Sequence, residues 1–220
     1  MPSSIYTFTL IRTLYNENND YIDSFIPLVV NVIDPDSKED KFQLIEKIFE
    51  KYAIKIPVYS LDVILNRAKK NGYIEKEGNF VRLSEKGVKY KSQCDGHRDV
   101  DRRINEFIAA AKDYINEAGC LLEEGDVREV ILGFIKDNLT SFDVFLDNGS
   151  DVPGVNCNKF SKEVHQRLAE FFILVEKQYP RLFDTLQDII YGSIISVSVY
   201  SPSFSEVSMK FDKTSVYFDS

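Results

Sequence analysis

The sequence is poor in the residues that build disulfide frameworks and metal sites, with three cysteines, two histidines and no tryptophan in 220 residues. The cysteines, Cys94, Cys120 and Cys157, are odd in number and form no Cys-x-x-Cys pair, which argues against a secreted, disulfide-linked protein. The first residues also lack the basic and then apolar stretch of a secretory signal. These absences predict reduced thiols and a cytoplasmic location.

Long apolar runs are absent as well. The longest apolar-leaning stretch, residues 189–200, is interrupted by Gly192 and by three serines, and it is shorter than the roughly 20 residues that span a bilayer. We therefore predict no membrane-embedded segment.

The common catalytic and nucleotide-binding motifs are missing from the sequence. It contains no phosphate loop, no Gly-x-Gly-x-x-Gly, no Gly-x-Ser-x-Gly and no His-Glu-x-x-His. We therefore expect that this chain is not an enzyme and that it needs no cofactor.

Two pairs of residues have the chemistry of a site but not its spacing. Cys94 and His97 form half of a zinc motif, but the only other histidine is His165, so we interpret them as a reduced thiol and a solvated histidine in a linker. Cys120 and His165 have the side chains of a nucleophile and a base, but nothing in the sequence fixes their separation. We predict neither a metal site nor a catalytic residue from these pairs.

The densest carboxylate cluster consists of Glu123, Glu124, Asp126 and Glu129. Carboxylates act as acids, bases and metal ligands. Here, however, they precede an apolar helical stripe, and Asp126 and Glu129 have the spacing of a capping box. Because the first turn of a helix favours negative charge, we interpret this cluster as a helix cap.

What the chain does contain is apolar and aromatic side chains, 44 % and 13 % of the residues, enough for a substantial core. These side chains recur mostly at helical spacing, which predicts a mainly α protein. The first helix contains Ile5, Phe8 and Ile11, and the second follows Asp20 and is kinked by Pro27. Further helices are predicted around residues 42–52, 104–115, 130–135, 160–175 and 182–190.

Charge is unevenly distributed along the chain, whose formal net charge is -8. Residues 38–91 carry 13 basic and 8 acidic side chains, a net charge of +5, whereas residues 104–220 carry 10 basic and 19 acidic side chains, a net charge of -9. The acidic total argues against wholesale binding to nucleic acid or anionic membranes. One basic segment therefore lies within an acidic protein.

The basic segment contains a helix followed by a hairpin. Pro57 suits a first helical turn and Gly72 a left-handed cap, so a helix is predicted between them, with Val58, Leu61, Ile64 and Leu65 buried and Arg67 and Lys70 exposed. Residues 73–83 alternate around a Gly-Asn turn and predict a two-stranded hairpin.

Residues 20–86, with the stretch "IPVYSLDVILNRAKKNGYIEKEGNFVRLSEKG", resemble the winged helix-turn-helix superfamily. The resemblance implies that the third helix enters the major groove and that the wing lies on the phosphate backbone. The implied contacts to DNA or RNA, weak and non-specific, are Tyr59, Asn66, Arg67, Lys69, Lys70, Lys76 and Arg82. Asp62, Glu75 and Glu77 oppose nucleic-acid contact, and winged helices also contact proteins, so a protein partner stays open.

The remainder predicts a second helical domain. A region of low regularity, residues 147–158, marks a subdomain boundary within it, and residues 193–201 are ambiguous between helix and strand because β-branched side chains dominate. We assign residues 1–92 to a winged-helix-containing domain, residues 93–206 to a helical domain and residues 207–220 to a terminal strand.

The ending "KTSVYFDS" resembles the first strand of a PIN-type nuclease domain. The resemblance implies that Asp219 matches the first metal-ligating carboxylate and that the rest of such a domain would follow downstream. The alternative is a closing strand that pairs with residues 193–201.

The sequence thus predicts a non-catalytic regulatory or targeting region of a larger protein, in which a winged helix holds nucleic acid or a partner near a PIN-like nuclease. The alternative is a self-contained helical module whose acidic half docks a basic protein.

Overall fold

The computed structural model describes residues 4–94, 98–138 and 160–200. Within these ranges the chain is mainly helical, which confirms the predicted fold class. The α-helices are α1 (Ser4–Asn18), α2 (Ile26–Val32), α3 (Lys41–Tyr52), α4 (Val58–Lys70), α5 (Glu85–Cys94), α6 (Arg98–Glu117), α7 (Glu124–Asn138), α8 (Lys162–Gln178) and α9 (Pro180–Ser198). The strands are β1 (Glu39–Asp40), β2 (Ile74–Glu77) and β3 (Phe80–Leu83).

The predicted kinked second helix is divided into a 3-10 turn, Asp23–Phe25, and α2. The carboxylate of Asp20 accepts hydrogen bonds from the N–H groups of Ile22 and Asp23, at 2.9 and 3.0 Å, and so caps this turn. Pro27 lies in the first turn of α2, where its missing N–H would have no intrahelical partner. Pro27 therefore lies where the predicted helix divides into these two segments.

The predicted hairpin is confirmed, and it belongs to a three-stranded antiparallel sheet of order β1-β3-β2. In β1, Glu39 lies opposite Val81 and Asp40 opposite Phe80. The sequence analysis missed β1 because a strand of two acidic residues has neither apolar alternation nor β-propensity.

The end of α4 has the predicted left-handed glycine. Gly72 has φ +78°, its N–H donates to the carbonyl of Lys69, and the N–H of Tyr73 donates to the carbonyl of Ala68, both at 2.9 Å. These two bonds form a Schellman motif, which satisfies the last carbonyls of α4 and turns the chain into β2.

Two hydrophobic cores divide the described residues. The first lies between α2, α3, α4 and the sheet, and the second lies between α6, α7 and α8. The second half of α1 contributes Leu10 and Leu14 to the first core, whereas its first half contributes Ile5 and Phe8 to the second. Because α9 also contributes to both cores, the predicted domain boundary near residue 92 stays a prediction.

The contact between α1 and α9 is the most extensive between any two elements in the described ranges. It is close because Gly192 faces the backbone of α1, where a Cβ on Gly192 would lie 1.8 Å from the carbonyl oxygen of Phe8. Residues up to Ser198 are helical. The ambiguity is thus resolved as helix for residues 193–198, and the alternative that these residues pair as a strand with the chain's ending is wrong.

Replacement of Gly192 by Ala should destabilise the protein by about 3 kcal/mol, at the upper end of the range for overpacked cores, because the new methyl group would meet backbone that cannot rotate away. Urea unfolding measures this change. Gly125→Ala is the matched control, since Gly125 is also helical and its Cβ would meet nothing within 4 Å. We expect the control to be neutral or stabilising by roughly 0.5 kcal/mol. Equal effects of the two substitutions would contradict the close contact between α1 and α9.

Candidate nucleic-acid interface

Helix α4 is the predicted recognition helix, and its buried stripe contains Leu61, Ile64 and Leu65 as expected. Val58 is the exception, because it is 38 % exposed although the sequence predicted burial. The core beside the start of α4 is filled by Ile54 and Ile56 of the preceding segment, so the first helical residue lies at the surface. The other face of α4 carries the predicted contacts to nucleic acid.

The first turn of α4 is joined to the end of α9. The hydroxyl of Tyr59 donates to the carbonyl of Tyr200, and the buried hydroxyl of Ser60 donates to the carbonyl of Val199. Tyr59 is 44 % exposed, and partial burial raises the pKa of its phenol. Tyr200 is more deeply buried, and burial raises the pKa of its phenol to about 12. Both tyrosines are therefore neutral near pH 7 and can donate hydrogen bonds.

Arg67 lies on the side of α4 that faces the 3-10 turn. Its Nη1 lies 3.4 Å from Asp20 Oδ2 and 3.4 Å from Asp23 Oδ1. Burial, together with the neighbouring charge of Asp20, raises the pKa of Asp23, whereas Arg67 opposes that rise. The guanidinium predicted to contact phosphate is thus already engaged by two carboxylates of the same chain.

Asp62 lies at the centre of the α4 front and binds two lysines. Its two oxygens accept hydrogen bonds from Lys41 of α3 and Lys76 of β2, each at 2.9 Å. Lys76 also lies 3.3 Å from the amide oxygen of Asn66, which is exposed. Burial alone would raise the pKa of Asp62, but the hydrogen bonds from the two lysines, together with their charges, lower it. This triad links α3, α4 and the sheet.

The outer face of the hairpin also carries paired charges. Arg82 Nε donates to Glu75 Oε2 at 2.8 Å, and Lys38 donates to Glu77 Oε2 at 2.6 Å. The hydrogen bond from Lys38 lowers the pKa of Glu77, so this carboxylate is ionised at neutral pH. The hairpin therefore presents ion pairs where the resemblance implied free cations.

Lys69 and Lys70 differ from the other predicted contacts. Both are exposed in the last turn of α4, and neither forms an ion pair with another residue of the described ranges. Among the predicted contacts, Lys69 and Lys70 are thus the cations that have no carboxylate partner within the described residues. The partners of Arg67 were not predicted, because Asp20 and Asp23 lie 47 and 44 positions before it in the sequence and give no local signal.

The other candidate clusters do not form a site among the described residues. Cys120 packs against the second core, and His165 Nδ1 lies 3.1 Å from the carbonyl oxygen of Ser161 in its own helix. Asp126 Oδ2 accepts from the N–H of Glu123 at 3.2 Å, so the carboxylate cluster does cap α7, but the predicted capping box of Asp126 and Glu129 is wrong because α7 begins at Glu124. No three His, Cys, Asp or Glu side chains converge to hold a metal ion in the described part of the chain.

Several predictions fall outside the described residues. They concern His97, Cys157, residues 147–158 and the ending with Asp219. Among the helices that the structure describes, none has both the length and the apolar character needed to cross a bilayer.

Comparison with protein-family models, curated proteins and solved structures finds no match to this chain.

Replacement of Asp62 by Asn should destabilise the protein by roughly 1 to 2 kcal/mol at pH 7, because Lys41 and Lys76 lose their shared counter-ion. A lowered carboxyl pKa stabilises the fold above about pH 4, its unfolded value, and this stabilisation is lost as the pH falls through the folded value. The difference between wild type and variant should therefore shrink from pH 7 to about pH 3. Urea unfolding across this range tests it, with the exposed Glu46→Gln as a control that should change little at any pH. A difference that is constant with pH would contradict the ionic role of Asp62.

Replacement of Ser60 by Ala should cost roughly 1 to 2 kcal/mol, since the carbonyl of Val199 loses a buried donor. Hydrogen exchange should also become faster in the last turn of α9. Ser92→Ala is the control, because the Ser92 hydroxyl also donates to a carbonyl, but at an exposed position. If both variants lose the same stability, the contact between α4 and the end of α9 does not depend on the hydrogen bond from Ser60 to Val199.

Proposed function

We propose that residues 20–86 form a winged helix that docks a partner protein, as part of a non-catalytic regulatory region. The order of elements supports this proposal: α2, β1, α3 and α4 are followed by the hairpin of β2 and β3, and the sheet order is β1-β3-β2. The helix before the hairpin has an exposed face, as a contact helix needs.

The main observation in favour of a protein partner is the pair of hydrogen bonds made by the first turn of α4. In helix-turn-helix proteins the N-terminal residues of the recognition helix contact base edges. Here Tyr59 and Ser60 of that turn are hydrogen-bonded to the carbonyls of Tyr200 and Val199, directly after α9. Entry of α4 into a major groove would require this part of the chain to separate from α4.

Electrostatics supports the same choice. Arg67, Lys76 and Arg82, three of the cations implied to contact phosphate, form ion pairs with carboxylates. A phosphate would have to compete with these carboxylates and would be repelled by them, so the gain from each contact is reduced. A protein surface with mixed charges meets no such general repulsion.

Two further predictions concern other parts of the chain. The alternative function is that the acidic second half of the chain docks a basic partner. The PIN-like ending lies outside the described residues, and we propose no function from it.

Selection from a random-sequence duplex pool at about 50 mM salt, where phosphate contacts are strongest, tests the proposal. We expect no enriched sequence and only non-specific retention that weakens as the salt concentration is raised. Asn66→Ala should behave as wild type, because the exposed Asn66 of the α4 front then reads no base.

Selection of a specific duplex sequence would contradict the proposal. Convergence of the pool on one sequence, with a loss of about tenfold or more in affinity for that sequence in Asn66→Ala, would overturn the protein-docking proposal in favour of major-groove reading.

A further inference from the structure

The three-stranded sheet has an outer face with an exposed aromatic ring at its centre. Phe80 lies in the central strand β3, is 51 % exposed and belongs to neither hydrophobic core. In the described ranges only Phe42, also 51 % exposed, has an aromatic side chain as accessible as this one. Burial of the Phe80 ring against another surface would therefore be favourable.

Charged side chains of both signs surround Phe80. The register places Asp40 of β1 and Glu77 of β2 directly beside it, one on each neighbouring strand. Arg82 lies two residues further along β3, opposite Glu75. Residues that are opposite each other, or two apart in one strand, point to the same side of a sheet. We define the outer sheet face as these residues and the lysine that donates to Glu77, namely Lys38, Asp40, Glu75, Glu77, Phe80 and Arg82.

The outer sheet face is close to neutral, with two basic and three acidic side chains. A nucleic acid, or a strongly acidic or basic protein, would be attracted by one set of these charges and repelled by the other. A second copy of the same face offers both signs and can place each against its opposite. Charge complementarity therefore favours a second copy of this chain as the occupant.

A two-fold axis through Phe80 brings opposite charges together. Arg82 lies roughly 7 Å from Phe80 along β3, and Glu77 lies roughly 5 Å from Phe80 across to β2. An axis that bisects these two directions exchanges them, so that Arg82 of each copy lies over Glu77 of the other and the two Phe80 rings meet on the axis. Such a contact uses the same patch on both copies. The two sheets then cross at near right angles, which is one of the two common ways in which sheets pack.

We infer that this chain self-associates through its outer sheet face, with Phe80 at the centre and Arg82 of each copy paired with Glu77 of the other. The ion pairs of Arg82 with Glu75 and of Lys38 with Glu77 are exposed, and exposed pairs contribute little, so sharing them with a second copy costs little. Because the face contains few residues, the dimer is a weak one. The inference goes beyond the proposed function, since none of these residues belongs to α4.

Sedimentation velocity of the full chain from about 10 µM to 1 mM measures the association. Salt at about 150 mM screens the long-range repulsion between two chains of net charge -8. We expect the mean mass of wild type to rise with concentration toward that of a dimer. Phe80→Ser should weaken association by about tenfold or more. Phe42→Ser is the matched control and should associate as wild type, since Phe42 is equally exposed but lies in the first turn of α3.

An exchange of charges tests the paired arrangement. In a homodimer Arg82→Glu would place carboxylates over each other, and Glu77→Lys would place cations over each other, so each variant alone should be monomeric up to about 1 mM. In a 1:1 mixture of the two variants every contact again joins opposite signs, so association should return. Circular dichroism checks that each variant is folded. The wild-type series and Phe80→Ser test the inference independently of these two variants.

Wild type that stays monomeric up to about 1 mM would overturn the inference, as would equal association by Phe80→Ser and Phe42→Ser. A mixture that associates no better than either charge variant alone would overturn it as well. None of these measurements involves duplex DNA, so failure here is distinct from failure of the proposed function.

Discussion

The packing of α1 against α9 is the contact on which the arrangement of the two cores depends. Because Gly192 has no side chain, the α9 backbone can lie directly on the carbonyl of Phe8. The buried hydroxyls near this contact are satisfied within their own helices, since Thr9 donates to the carbonyl of Ile5 at 2.9 Å and Ser196 to that of Gly192 at 2.7 Å. Small residues thus allow close approach while these two buried hydroxyls keep hydrogen-bond partners.

The chain directly after α9 contacts the start of α4. The carbonyls of Val199 and Tyr200 accept hydrogen bonds there from the hydroxyls of Ser60 and Tyr59. The negative end of the α9 dipole there lies near the positive end of the α4 dipole, which is favourable. Helix α9 packs in the second core, and the residues after it hold the start of α4. Helix α4 belongs to the first core and has an exposed face.

Local patterns predicted much of this fold, and long-range electrostatics could not be predicted. The spacing of apolar residues indicated most of the helices, and Gly72 indicated the end of α4, because both depend on neighbours within one or two turns. The strand β1 and the partners of Arg67 depend on residues 40 or more positions away. The ion pairs of the predicted contact residues could therefore not be predicted from local sequence.

The net charge of a segment is consequently a poor guide to the potential on its surface. The front of α4 contains Asp62, which forms ion pairs with both Lys41 and Lys76. Because each lysine already binds this carboxylate, neither is fully available to a ligand. At the other end of the same helix, Lys69 and Lys70 have no such partner among the described residues and also compensate the negative end of the helix dipole. The two ends of one helix thus have different electrostatic characters, although both belong to a segment with one net charge.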